Sequence, residues 1–270
     1  MNEGDLHDRL VALAKEEGFP VAGGVDFSSA LEPYAEHASR YADWLGRGHA
    51  GDMSYLGRGL ERRLAPLTVF PETQSVFCVI SPYSPVPNGE TDPALGVRYA
   101  RYLRGTDYHE TVSAKLEAIF RQAAISSPQL KWKMCVDTSA VLERTWAALC
   151  GLGWIGKNTL LIHPKLGSYT FIGVVFLNQP LDRAVRTQPN LCGHCSACLQ
   201  ACPTRAFDAP GVLNSRKCIS YLTLEKRGPW NQEEVGYVSK SNFVAGCDLC
   251  QEVCPFNVKP SREAIRVDGD

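Results

Sequence analysis

Cys192-Gly-His-Cys195-Ser-Ala-Cys198-Leu-Gln-Ala-Cys202-Pro203 is the stretch that decides how this chain is read. Its C-x2-C-x2-C-x3-C-P spacing is that of bacterial-ferredoxin iron–sulfur ligation, in which the fourth cysteine serves the neighbouring cluster. The reason is geometric: three thiolates on one tight loop cap three corners of a cubane, and the fourth, entering a helix, points toward the other site. A second run, Cys247-x2-Cys250-x3-Cys254-Pro255, lacks one cysteine of the full pattern. Cys218, in the helical segment NSRKCISYLTLE, can replace it. Cys192, Cys195 and Cys198 then join Cys254 around one 4Fe–4S cluster, and Cys218, Cys247 and Cys250 join Cys202 around the other. Two readings compete with this. Zinc favours C-x2-C pairs separated by longer spacers, and Cys218 could be a buried helix cysteine that leaves the second site with three ligands.

Composition supports metal or redox chemistry. Of the 270 residues, 44% are apolar and 21% charged, which is globular and excludes disorder and collagen-like repeats. Eleven cysteines, an odd number, argue against a disulfide framework. No run of about 18 apolar residues spans a bilayer. The acidic start MNEGDLHDRL has no apolar signal region, so a cytoplasmic location is expected. Lys plus Arg (28) nearly cancels Asp plus Glu (29), giving a net charge of −1 that lends no bulk support to phosphate binding.

Cysteine density changes sharply near Asn190, and NQPLDRAVRTQPN (178–190) reads as a linker. The expected units are residues 1–186, a ferredoxin-type unit over 187–260, and a short tail, 261–270. In the first unit, Leu6, Leu10 and Leu13 predict a helix ending before Gly18. Val21–Phe27 reads as a strand, Pro33–Leu45 as a helix, and Ser75–Ser81 as a buried strand followed by a Pro-rich loop over Pro82–Pro93. Thr106 is expected to cap a helix to Ala124, Lys131–Asp137 to form a strand, and Ser139 to cap a helix to Cys150. TLLI and SYTFIGVVFLN read as two more strands. Strands alternating with helices predict a layered α/β or α+β domain. Cys78, Cys135 and Cys150 read as core residues.

Gly151-Leu-Gly153-Trp-Ile-Gly156 matches the dinucleotide fingerprint, but a helix precedes it and a strand follows, the reverse of what that motif needs. Its glycines point to a tight helix-to-strand turn or to close backbone approach to a bulky ligand. Asp137 closes a strand beside an expected pocket, where a shielded carboxyl can keep its proton and act as a donor; helix capping with Ser139 is the equal alternative. Arg98, Arg101 and Arg104 suit phosphates or a solvated face. His194 could tune a cluster or simply face solvent.

VDTSAVLERTWAALCGLGWIGKNTLLIHPKLGSYTFIG, CGHCSACLQACPTRAF, CISYLTLE and GCDLCQEVCPFN together resemble the epoxyqueuosine reductase family, over about residues 44–257. The resemblance implies reduction of epoxyqueuosine to queuosine in tRNA, with a cobalamin-binding first domain and two 4Fe–4S clusters in the second. It implies that Asp137 is the proton donor and that the eight cysteines ligate in the pairing given above. Arg58, Arg101, Tyr102, Lys157, Asn158, Ser168 and Ser220 look like corrinoid-pocket positions. It further implies cob(I)alamin as nucleophile toward the epoxide, an external low-potential electron donor and the tRNA anticodon loop as partner. Many family members continue into a helical-repeat domain, so a short form is expected here. A cobalt-ligating D-x-H-x-x-G motif would need Gly at Val112; His109 is read as a surface or pocket-lining residue, and the corrinoid as bound without a histidine on cobalt. The rival readings are a reductive-dehalogenase-like enzyme and a non-catalytic electron carrier.

Overall fold

The computed structural model describes residues 5–83 and 95–258. The remainder of the expected Pro-rich loop past Tyr83 and the expected 261–270 tail lie outside them. The first half runs α1 (Leu6–Glu16), β1 (Val21–Asp26), α2 (Phe27–Gly46), α3 (Ser54–Arg58), α4 (Leu60–Leu64), β2 (Ser75–Pro82), β3 (Arg98–Tyr99), α5 (Tyr108–Ser126), β4 (Trp132–Cys135), α6 (Glu143–Leu149), β5 (Trp154–Ile155), β6 (Leu161–Ile162) and β7 (Thr170–Leu177). Strands β1, β2, β7 and β4 form one four-stranded sheet in that order, and each pairing is antiparallel.

Alternation along β2 explains its unbroken apolar run. Val76, Cys78 and Ile80 face one way and pack with Tyr34 of α2 and Trp146 and Leu149 of α6. Phe77 and Val79 face the other way, against Leu10 of α1 and Leu116, Ile119 and Phe120 of α5. Residues 75–80 are all buried because helices cover both faces of the sheet. The result is the expected layered architecture, with the antiparallel pairing of an α+β fold. Cys78, Cys135 and Cys150 are buried in it, as read from their apolar surroundings.

Several local expectations shift. Helix α2 begins at Phe27 and carries Pro33 in its interior. Asp107, not Thr106, caps α5, because its carboxylate accepts the His109 amide at 2.8 Å. The strand expected to reach Asp137 stops at Cys135, and α6 starts at Glu143 rather than after Ser139. Between them the chain makes tight turns, with Thr138 N–H donating to the Val136 carbonyl at 2.6 Å and Val141 N–H to that of Ser139 at 2.8 Å. Gly151 turns the chain at φ +83°, and a side chain on Gly153 would strike the Ile162 carbonyl. The glycine motif is thus the helix-to-strand turn.

Residues 178–190 carry no helix or strand. Their start is pinned, because the Asp26 carboxylate accepts the amides of Leu181, Asp182 and Arg183 at 2.8–3.1 Å. The second half runs α7 (Ala197–Ala201), β8 (Phe207–Ala209), β9 (Val212–Leu213), α8 (Ile219–Leu224), α9 (Gln232–Ser241), β10 (Phe243–Ala245), α10 (Leu249–Glu252) and α11 (Pro255–Val258). It joins the first half through a parallel ladder in which Phe243 pairs with Arg98 and Ala245 with Tyr99. The Arg98 guanidinium lies 4.1 Å over the Phe243 ring and ion-pairs with Glu252, so this arginine is not on a solvated face.

Candidate active site and metal centres

The cysteines separate into two groups in space. Cys192, Cys195, Cys198 and Cys254 line a cavity of about 230 Å³, together with Lys157, Asn158, Ile162 and Phe256. Among the described residues no three His, Cys, Asp or Glu side chains converge tightly enough for a single metal ion. These four thiols instead border a hollow, the arrangement that a multi-atom cluster requires. The Trp154 indole N–H points at Cys192 Sγ at 3.4 Å. Lys157 Nζ donates to the carbonyls of Gly193 at 2.6 Å and Cys195 at 2.9 Å, tying the cysteine loop to the first half.

The second group shows itself through charge. Burial pushes the Cys247 thiol up to about 12, reinforced by Cys218, Asp248 and Cys202 nearby. Burial likewise raises Cys250, with Cys218, Cys247 and Cys202 adding to it. Cys198 is raised by burial and then by Cys192, Cys254 and Cys195, its own set. Such crowded, desolvated thiols hold their protons until positive charge arrives, and a metal cluster supplies that charge. The donor sets therefore fit two iron–sulfur clusters.

Asp137 stands at the centre of the turn closed by Thr138, at φ +56°. Its amide donates to Glu143 Oε1 at 2.5 Å, and its side chain is 60% exposed. Neither Asp137 nor Ser139 caps α6. His109 Nε2 lies 3.1 Å from Asp137 Oδ2, while His109 Nδ1 lies 2.7 Å from Asp107 Oδ1. Burial works to lower the His109 pKa, and the bonds to Asp137 and Asp107 outweigh it for a net rise. Glu143 is pushed up to about 8 by burial, opposed by the Asp137 amide and aided by the Asp137 charge.

Three phenols stand near this carboxyl group. Tyr108 stacks on Phe171 with ring centroids 3.9 Å apart, and on the His109 ring at 4.1 Å. Its phenol is raised by burial and by Asp137. Burial pushes Tyr55 up to about 12, with Glu225 and Asp137 adding. Tyr102 is also raised to about 12 by burial, then by Asp248, Asp137 and Glu225. Tyr102 thus feels the charges of both Asp137 and Asp248 of the Cys247–Cys250 loop, and its ring lies 3.5 Å from where a Cβ on Gly246 would stand. Phenols from three elements thus stand near the acid, and Tyr102 stands near the second cysteine loop as well.

The remaining predicted positions divide. Arg58 is exposed at the end of α3, and the α3–α4 junction abuts the Asp137 turn: a Cβ on Gly59 would lie 2.6 Å from Ala140 Cβ. Ser220 is half-buried on α8, whose C-terminal neighbour Glu225 accepts the Tyr55 hydroxyl at 3.1 Å. Arg101 is buried, its guanidinium 4.3 Å over the Tyr169 ring and its amide 2.7 Å from Asp248 Oδ2. Lys157 and Asn158 line the first cysteine cavity. Ser168 Oγ is spent on Gln251 at 2.9 Å and Asn257 at 3.0 Å. His194 is exposed. Sequence reasoning missed Glu143 as the partner of the Asp137 amide and left His109 without its partner; the D-Y-H run beside a helix cap was the available signal.

Residues 191–257 match a family described as a 4Fe-4S double cluster binding domain, and residues 63–138 match one described as epoxyqueuosine reductase QueG, DUF1730. An epoxyqueuosine reductase from Gloeobacter violaceus is 38% identical over 255 residues, covering 94% of this chain and 77% of the relative. The structure of epoxyqueuosine reductase from Streptococcus thermophilus superposes with a TM-score of 0.81 at 25% identity, covering 96% of this chain and 67% of that one. A crystal structure of epoxyqueuosine reductase with a tRNA-Tyr epoxyqueuosine-modified stem loop gives 0.78 at 28% identity, covering 93% of this chain and 65% of that one.

Proposed function

The chain belongs to the epoxyqueuosine reductase family, and from that premise we propose how its own residues reduce epoxyqueuosine to queuosine in tRNA. It is an oxidoreductase with a 4Fe–4S double-cluster domain. The observation that carries the reading is Tyr102, which packs at Gly246 beside the second cysteine loop and feels the Asp137 charge, so that acid and electron source stand near one phenol.

Converting an epoxide to an alkene consumes two electrons and two protons and releases water. Asp137, exposed and near the phenols of Tyr55, Tyr102 and Tyr108, is the acid that protonates the departing oxygen, a role that needs its neutral form. Arg58, Tyr102 and Ser220 would hold a cobalamin beside Asp137, with Arg101 next to Tyr102, while Lys157 and Asn158 line the first cysteine cavity and Ser168 is bonded to Gln251 and Asn257. The desolvated phenols fit a large, flat, partly apolar ligand. When bound, the corrinoid supplies a reduced cobalt nucleophile for the epoxide carbon. Cys192, Cys195, Cys198 and Cys254 hold one cluster; Cys202, Cys218, Cys247 and Cys250 hold the other, beside Tyr102. Cys195 is exposed, so a low-potential one-electron donor would deliver at the first cluster and the second would pass charge inward.

In this reading residues 1–186 are the catalytic unit and 187–260 the relay. The anticodon stem-loop enters at the open side of Asp137. The enzyme works in the cytoplasm, where its thiols stay reduced, and among the described residues no helix is long and apolar enough to cross a membrane. The test is anaerobic incubation of the reduced, corrinoid-loaded protein with epoxyqueuosine-containing tRNA and with the isolated stem-loop, followed by nucleoside mass analysis. Loss of one oxygen mass is expected; an unchanged epoxide overturns the reading.

A further inference from the structure

Proton stoichiometry singles out a residue beyond Asp137. The reaction proposed above breaks two C–O bonds at one oxygen and forms one C=C bond, and that oxygen leaves as water. A low-potential one-electron donor supplies the two electrons in succession. One carboxylic acid stores one proton, so a second must reach the same oxygen while the bound substrate covers the open face of Asp137. At Oδ2 of that carboxyl group sits His109 Nε2, 3.1 Å away. The imidazole is held in place on two sides, with Nδ1 fixed by Asp107 at 2.7 Å and the ring stacked on Tyr108 at 4.1 Å. With Nδ1–H given to Asp107, only Nε2 is free to gain and lose a proton, and it faces Asp137. The side chain is 35% exposed, so water reaches it between turnovers.

We propose that His109 stores the second proton of the reaction and returns it to Asp137 during turnover, with Asp107 orienting the ring. The inference rests on the functional reading above. Asp137 gives its proton as the first C–O bond opens, and becomes a carboxylate. His109 then transfers its Nε2 proton to that carboxylate and becomes neutral. The renewed acid protonates the oxygen again as the second C–O bond breaks and water leaves. Both groups regain protons from solvent after product release. Two stored protons match the two consumed, and Glu143, bonded to the Asp137 amide rather than to its carboxyl group, takes no part in the transfer.

The experiment compares wild type, His109→Ala and His109→Gln, each as full chain loaded with iron, sulfide and corrinoid, on an epoxyqueuosine-modified stem-loop. Iron per chain should be equal in all three. Turnover should fall roughly 100-fold in both variants, the lower end of what a positioned proton-transfer group contributes. Added imidazole should restore His109→Ala in proportion to imidazolium concentration, which a structural role would not produce. Glutamine places an amide where Nε2 stood and keeps a hydrogen bond to Asp137 but carries no transferable proton, so recovery of activity in His109→Gln would assign a structural role and overturn the proposal. Wild-type rates in either variant, or lost activity that imidazole leaves unrestored, would overturn it as well. A wild-type protein that leaves the epoxide intact would instead refute the functional reading, and the proposal with it.

Discussion

Replacing Glu143 with alanine deletes the oxygen that accepts the Asp137 amide at 2.5 Å. Asp137 sits at φ +56°, in a turn closed by a 2.6 Å bond from Thr138 to Val136. A non-glycine residue in that region costs about 1–3 kcal/mol and persists only where its surroundings hold it. Because burial lifts Glu143 to about 8, at neutral pH the acceptor is mainly the carbonyl oxygen of a protonated acid. Such a neutral bond contributes ~0.5–1.5 kcal/mol, and the strain it holds in the turn is released as well. A net shift of about 1–2 kcal/mol toward a relaxed turn corresponds to a factor of 5–30 in population. Steady-state assays on the modified stem-loop should therefore show kcat reduced about 5–30-fold with KM nearly unchanged. Iron and corrinoid content should stay at wild-type levels. Glu143→Gln keeps a carbonyl oxygen in place and should retain most activity. Alanine at the wild-type kcat, or glutamine as poor as alanine, would refute the clamp.

Asp137→Asn should abolish turnover while leaving cluster and corrinoid absorption intact; substantial activity would remove Asp137 from the mechanism. Cys218→Ala should lose about half the bound iron, because one of the two four-cysteine sets loses a ligand. Unchanged iron would mean that the pairing is wrong. Stability should fall as pH rises from about 4.5 to about 8, since folded Glu143 keeps a proton that the unfolded chain releases. Glu143→Gln should flatten that limb of the Tm profile. The opposite slope comes from His163, which burial lowers from 6.5 to about 4 and whose Nδ1 accepts the Lys165 and Leu166 amides. Below about 6.5 the unfolded chain binds a proton that folded His163 refuses, so stability drops with acid, and His163→Asn should lessen that drop.

What the sequence disclosed was what local spacing encodes. The cysteine runs are readable because neighbouring thiols on one loop must serve one cluster, and SVFCVIS is readable because both faces of β2 meet apolar helices. Residues 136–142 depart from local rules for the converse reason. VDTSAVLE has a strand end and a capping serine by those rules, yet the Asp137 turn is held by Glu143, six residues on, and by His109, twenty-eight residues back. The arginine series departs similarly: Arg98 and Arg101 are turned inward by Phe243, Glu252 and Tyr169, partners that no periodicity reveals. His109 misses a cobalt-ligating pattern, and its actual neighbour comes from the turn beyond a different strand.

The short parallel ladder between Arg98–Tyr99 and Phe243–Ala245 has a mechanical corollary. Lobes that touch only through side chains can slide, whereas backbone hydrogen bonds across a joint must break before anything shifts. The loop that carries Cys247 and Cys250 is thereby tied by backbone to the half that carries Asp137.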